Sequence, residues 1–403
     1  MMTEQEHNNV QWRKVRFDQF FDMLPTNTLS RDKLNNQQGE YQNIHYGDVL
    51  IKYPFCLDCN NAEIPYINDG VKFNMAEVRD GDVIFADTAE DDTVGKCVEV
   101  LNVGDRKIVS GLHTYFCRPR HEMALGYLGY YLNSNHFHNQ LLPYIAGSKV
   151  SSVNRTSIAR TFISYPADLS AQRRIAAILA SADKVIAATQ KTIAKYKLIK
   201  QGMMEELLKP KEGWKKVKLG EVIVDSYAGG TPNRSRSDYF GGDIPWVSSG
   251  EVNNPEINST LENISIEGLN NSSAKWIPKN SILVALYGAT AGQVSMLRIK
   301  ATSNQAVLAV IPNADVADTM FLFYQIVYNK DNLLYLAQGS GQPNLSKNLV
   351  DGLEISIPDL AAQRRIAAIL SGIDAKIAAE EKLLQKYEKV KKGLMERLLN
   401  GKT

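Results

Sequence analysis

A nine-residue segment, AQRRIAAIL, occurs twice in this chain, at Ala171–Leu179 and at Ala362–Leu370. Aligned without gaps at that offset (171 to 362), Ala171–Leu208 and Ala362–Leu399 agree at 22 of 38 positions. In the first copy, Ile175, Leu179, Ile186, Ile193, Tyr196, Met203 and Leu207 recur in steps built from fours and threes, and Ile366, Leu370, Ile373, Ile377, Leu384, Tyr387, Leu394 and Leu398 keep the same rhythm in the second. A sustained repeat of 3.5 residues is the seam of a coiled coil. At about 1.5 Å per residue each copy makes a rod of roughly 57 Å. Neither rod buries its seam alone, so each is expected to lie antiparallel against the other. Thr189, Lys200, Glu380 and Lys391 interrupt the seam, and polar seam residues set register at a cost in stability. Arg173–Arg174 and Arg364–Arg365 stand at the helix starts, where the helix dipole repels cations. They are expected to face a partner or the adjacent domain.

The rest of the chain is ordered around this repeat. At 403 residues it exceeds one ordinary core, and 44% hydrophobic with 22% charged residues is a globular composition. The segments preceding each rod echo one another in order. WRKVRF (12–17) resembles WKKVKL (214–219), IPYINDG (64–70) resembles IPWVSSG (244–250), GDVIFA (81–86) resembles NSILVA (280–285), and AGSKVSSVN (146–154) resembles QGSGQPNLS (338–346). β-rich runs such as SILVALY alternate with helix-compatible runs such as TMFLFYQIVYN. The fold class expected is α+β: two mixed domains, 1–168 and 210–358, each followed by a long helix, 169–209 and 359–403.

Forty-six basic against 44 acidic side chains leave a net charge of +2, which neither announces nor excludes a nucleic-acid partner. The start of the chain is polar and no apolar run approaches the length of a membrane span, so a cytoplasmic protein with reduced thiols is expected. CLDC (Cys56–Cys59) is half of a zinc site, but Cys97 and Cys117 are single and offer no second CxxC. We read all four as structural thiols and expect no metal.

Two similar domains at the ends of a rigid spacer suit a ligand with two related sites, such as duplex DNA read one helical turn apart. The repeated AQRRIAAIL helix, the EGW-K-V-LGE start at 212–221 and GGTPNRS…GGDIPWVSSGEV resemble the specificity subunit of type I restriction-modification enzymes, from Trp12 to Leu399. That resemblance implies two target-recognition domains, each reading one half of a split, asymmetric DNA sequence. The helices would set the gap and dock two adenine-methyltransferase subunits, and translocase-nuclease (restriction) subunits would join the full complex. S-adenosylmethionine would belong to the methyltransferase partner, ATP and magnesium to the translocase. The first half departs from the pattern, with the acidic DTAEDDTVGK (87–96) where the second has YGATAGQ.

No catalytic residue is expected in this chain. It has no Asn/Asp-Pro-Pro-aromatic loop and no GxxxxGK[ST] phosphate loop. The candidate DNA contacts are Lys149, Ser151, Asn154 and Arg155 in the first domain. In the second they are Asn233, Arg234, Arg236 and Tyr239, together with Gln342, Asn344, Ser346 and Lys347. Arginine and lysine pair with phosphate or guanine, asparagine and glutamine with adenine. The same residue types also form turns. Trp246, among apolar neighbours, is expected in the core. The competing function is a structural adaptor whose helix pair scaffolds proteins.

Overall fold

The structure, a computed structural model, describes residues 11–71, 75–91, 93–147, 150–337 and 344–400. The chain divides into two compact units, 1–190 with 382–403, and 191–381.

In the first unit a five-stranded sheet carries the core. Its strands are β1 (Phe21–Leu24), β2 (Cys56–Asp58), β3 (Val83–Ala86), β4 (Cys97–Leu101) and β5 (Thr114–Pro119), in the order β1-β5-β3-β4-β2. β3, VIFA, is buried at every residue, as a continuous apolar run covered on both faces should be. A short helix, α1 (Tyr127–Leu132), is wholly buried, and its Tyr127, Leu128 and Tyr131 pack with Phe17, Phe85 and Phe137 in the same core.

The second unit repeats this sheet. β6 (Ile223–Ala228), β7 (Glu256–Ile257), β8 (Ile282–Ala285), β9 (Val294–Leu297) and β10 (Val307–Pro312) run in the order β6-β10-β8-β9-β7. The strand directions match as well, with only the β2–β4 and β7–β9 pairs parallel. Gly81 and Asn280 both turn into the third strand of their sheet at positive φ, 83° and 67°. The echo GDVIFA/NSILVA therefore marks equivalent strands. The echo IPYINDG/IPWVSSG does not. The strand Phe240–Val247 pairs parallel with Thr302–Ser303, and its counterpart in the first unit is Gln42–Ile44, which pairs parallel with Ile108–Ser110. The equivalent sequences are NIHYGDV and WVSSGEV, and the shared IP dipeptide drew the comparison to the wrong strand.

The repeated segments form α2 (Leu169–Leu208) and α4 (Leu360–Leu398); between them α3 (Thr319–Tyr328) is the larger counterpart of α1. Asp168 caps α2 by accepting from Ser170 N and Ala171 N at 3.1 Å, and Asp359 caps α4 by accepting from Ala362 N at 2.8 Å. The glutamine of AQRR has a physical reason in both copies. Gln172, buried, donates to Pro166 O and accepts from Ala124 N. Gln363, equally buried, donates to Pro358 O and accepts from Asp318 N. Each ties the start of a long helix to the backbone of its own domain. Arg173, Arg174, Arg364 and Arg365 are exposed instead of packing on the adjacent domain.

Every seam residue named above is buried or half-buried. In the first unit Ile175 and Leu179 of α2 share a core with Leu394 and Leu398 from the end of α4. In the second, Ile366 and Leu370 of α4 share a core with Met203 and Leu207 from the end of α2. Start meets end in each unit, so the helices are antiparallel. Among the described residues no helix is long and apolar enough to cross a membrane.

Candidate nucleic-acid interface

The polar loops rise from the rims of these sheets. In the second domain Gly229 and Gly230 lay the loop 229–239 flat. A Cβ on Gly229 would stand 2.1 Å from Ser303 O, and one on Gly230 2.2 Å from Ser273 Oγ, so only glycine fits either place. Trp246 is buried and donates from Nε1 to Gly230 O at 3.0 Å, holding the loop from below rather than offering a face to a base.

On this base Asn233 makes a turn, its Oδ1 accepting from Ser235 N at 3.0 Å. Arg234 lies 4.5 Å over the Phe240 ring and 5.0 Å over Trp246, and it forks onto Glu262 at 2.5 and 2.9 Å. Arg236 lies 4.8 Å over the Tyr239 ring and forks onto Asp238 at 2.9 and 2.6 Å. The hydrogen bonds from Arg236 hold the Asp238 carboxyl below its ordinary range. Both arginines are thus flat, pre-aimed and exposed. Exposed ion pairs of this kind contribute little, so a phosphate or a guanine edge can replace the carboxylate at small cost.

The next group sits where a short helix (Lys347–Asp351) begins. Ser346 caps it, accepting from Leu349 N at 3.3 Å, while Lys347 pairs with Asp351 at 2.6 Å and donates to Ser226 Oγ on β6. Asn344 is exposed and its backbone bridges to Tyr287. The first domain repeats the arrangement: Ser151–Ser152 pairs with Thr88–Ala89, Asn154 caps the helix Arg155–Ile158 by accepting from Ser157 N at 2.8 Å, and Arg155 donates to Met23 O on β1 at 3.1 Å. Asn154 and Ser346 are caps at equivalent places, and Arg155 and Lys347 reach the same edge strand of their sheets. Lys149 and Gln342 lie outside the described residues.

One cluster escaped the sequence reading. Lys300 lies 4.5 Å over Trp276, Lys275 lies 5.5 Å over Tyr227, and Tyr227 donates to Trp276 O at 2.6 Å. Lys275, Trp276 and Lys300 are exposed, and the bridge between Ile277 and Ala301 brings the two segments side by side. A lysine beside a tryptophan in SSAKWIPKN was the available signal, but the fellow lysine comes from the neighbouring strand. The cysteines of CLDC part company: Cys59 joins one apolar cluster, while Cys56 packs against another beside α1. Burial pushes the Cys59 thiol up to about 11. Among the described residues no three His, Cys, Asp or Glu side chains gather as a metal site.

Comparison with known proteins agrees with this duplicated design. The type I restriction modification DNA specificity domain matches residues 211–389. The chain is 26% identical over 363 residues to the MjaX specificity subunit of Methanocaldococcus jannaschii, spanning 85% of this chain and 83% of that one. It is 29% identical over 218 residues to the EcoR124I/EcoR124II specificity subunit of Escherichia coli, spanning 51% and 52%. In fold it resembles the S subunit of a type I restriction-modification system from M. genitalium, with a TM-score of 0.60 over 98% of both chains at 15% identity. With the repeated sheet and the repeated helix, the chain is thus similar over most of its length to the DNA specificity subunits of type I restriction-modification enzymes.

Proposed function

We propose that each domain reads one half of a bipartite, asymmetric DNA target, that the helix pair sets the gap, and that two methyltransferase subunits dock on the helices. The chain itself carries no chemistry in this reading. Adenine methylation, with S-adenosylmethionine, falls to the methyltransferase partner, and ATP- and magnesium-dependent cleavage to restriction subunits, all in the cytoplasm. The observation that carries the reading is the contrast within the repeat. Sheet order, the aspartate caps of the two long helices and the Gln172/Gln363 ties recur, whereas the rim loops differ in sequence and charge. Two scaffolds held alike with different rims are what two different half-sites require. Arg234, Arg236, Tyr239, Asn233 and Asn344 would face the second half-site, with Ser346 and Lys347 placing that loop. Lys275 and Lys300 would meet phosphates, and Ser151, Asn154 and Arg155 would serve the first half-site. Base-edge contacts specify, and phosphate contacts position.

The test is to co-express the chain with its cognate methyltransferase and sequence the methylome. Replacing residues 214–358 with those of another specificity subunit should change one half-site and leave the other and the gap unchanged. A change in both half-sites would overturn the assignment of one domain to one half-site.

A further inference from the structure

Each unit contains a polar clasp that joins three elements. In the first, the Tyr130 hydroxyl of α1 donates to Asp183 Oδ2 of α2 at 2.7 Å, and Lys391 Nζ of α4 pairs with Asp183 Oδ1 at 2.5 Å. In the second, the Tyr324 hydroxyl of α3 donates to Asp374 Oδ2 of α4 at 2.7 Å, and Lys200 Nζ of α2 pairs with Asp374 Oδ1 at 2.6 Å. Each ammonium also lies over the ring of its own tyrosine, Lys391 at 5.7 Å and Lys200 at 5.5 Å. The same atoms serve the same roles, and Asp183 and Lys200 are the partners in the repeat of Asp374 and Lys391. Each long helix therefore gives its aspartate to one clasp and its lysine to the other.

The seam around the clasps does not by itself define one register. Its apolar residues recur every seven, so a slide of seven residues, about 10.5 Å, again sets apolar against apolar. The docking of the helix tails through Leu394, Leu398, Met203 and Leu207 is hydrophobic and non-directional. A half-buried lysine opposite an aspartate that also accepts from a buried tyrosine has one solution. Any slide parts the half-buried lysine from its aspartate and takes from the hydroxyl of a buried tyrosine its carboxylate acceptor, which is unfavourable.

We propose that the clasps Tyr130–Asp183–Lys391 and Tyr324–Asp374–Lys200 are positioning residues, which lock the rise and rotation of each recognition domain on the helix pair. They thereby set the half-site gap that the chain accepts, without touching DNA. The consequence for the gap rests on the bipartite-DNA reading; the locking of register does not.

The full chain, co-expressed with its methyltransferase, tests both. Asp183→Asn, Asp374→Asn, Lys200→Met and Lys391→Met are compared with the charge exchange Asp183→Lys with Lys391→Asp. Methylation is scored on targets whose gap is lengthened or shortened by one or two base pairs. Register is read separately by disulfide trapping. Ile186→Cys with Glu388→Cys, whose parent side chains line one cavity of the first unit, reports the native register. Ile186→Cys with Glu381→Cys reports a slide of seven. Neutralising either member of the first clasp should keep the half-site sequences, raise methylation at wrong-length gaps on the order of fivefold, and let the second cross-link form. The charge exchange should restore both. Neutralised variants that trap only the native cross-link would overturn the proposal. A slipped cross-link in a chain whose methylated target proves not to be bipartite would sink the functional reading and leave the clasp standing.

Discussion

In the first domain the buried helix α1 takes its N-terminal cap from the sheet beneath it; in the second, α3 carries its own. Glu99 on β4 is fully buried and accepts from Gly126 N at 2.8 Å and Gly129 N at 2.7 Å, serving the end of a helix whose N-cap residue, Gly126, has no side chain to offer. In the second domain the matching strand position is Met296, as deeply buried, and Asp318 caps α3 by accepting from Phe321 N at 2.9 Å. The same orphan N–H groups are satisfied by an acid from a strand in one case and from the chain just before the helix in the other. Contrast this with the attachment of domain to helix, where Gln172 and Gln363, and Asp183 and Asp374, do identical work. The interior of each domain was free to solve its problems separately. The fastening was not, because both domains fasten to the same repeated helix.

The comparison can be broken first at the apolar joint. Leu179 and Leu370 are fully buried at equivalent turns of α2 and α4. Leu179→Ala and Leu370→Ala should each destabilise by about 2–5 kcal/mol. If the joints are equivalent, the two losses agree within about 1 kcal/mol in chemical denaturation. A markedly larger loss for one would show that its domain depends more heavily on the helix.

Glu99 sharpens the difference. Burial, opposed by the N–H groups of Gly129, Gly126 and Leu128, pushes its carboxyl up to about 7. An acid whose folded-state pKa lies above its unfolded value of about 4.3 holds its proton more tightly when folded. The stability that follows is full below pH about 4 and is lost as pH rises toward 7, on the order of 3 kcal/mol. Glu99→Gln should flatten that slope in denaturation series between pH 4 and 8, while Met296→Leu in the second domain should leave it in place. A slope that persists in Glu99→Gln would place its origin elsewhere.

Much of this was legible in the sequence where a period carries the information. The seam from Ile175 to Leu398 could be read residue by residue because helical spacing decides burial locally. The loop equivalence at Asn154 and Ser346 was also visible, as the echo of AGSKVSSVN in QGSGQPNLS. Their role as caps was not, because whether a polar side chain turns inward depends on the N–H groups around it. Pairing across strands lay beyond reach for the same reason. NIHYGDV and WVSSGEV share only a Gly-acid-Val core, and the register that unites them is held by Ile108–Ser110 and Thr302–Ser303, each more than fifty residues away. Lys275 and Lys300 meet through another non-local contact, the bridge between Ile277 and Ala301.

The smallest expected effect separates the two capping solutions. Asp318 sits in extended backbone, φ −71°, and a side chain there can fold back to the helix. Gly126 sits at φ 87°, where an L residue is strained, so α1 could not have borrowed the second domain's solution without moving its backbone. Asp318→Ala should therefore cost only the cap, about 1 kcal/mol, since the rest of α3 stays packed. Gly126→Ala should cost a similar 1–2 kcal/mol for a different reason: its new methyl would meet Ala176 and Cys56 at ordinary distances of 3.7 and 3.8 Å, leaving backbone strain as the dominant loss. The two are told apart by adding Glu99→Gln. That change should interact with Gly126→Ala, whose N–H is bonded to the Glu99 carboxylate, and should simply add to Asp318→Ala. Coupling between Glu99 and Asp318 would mean that the two caps share a load across the repeat, and the contrast between the domains would fail.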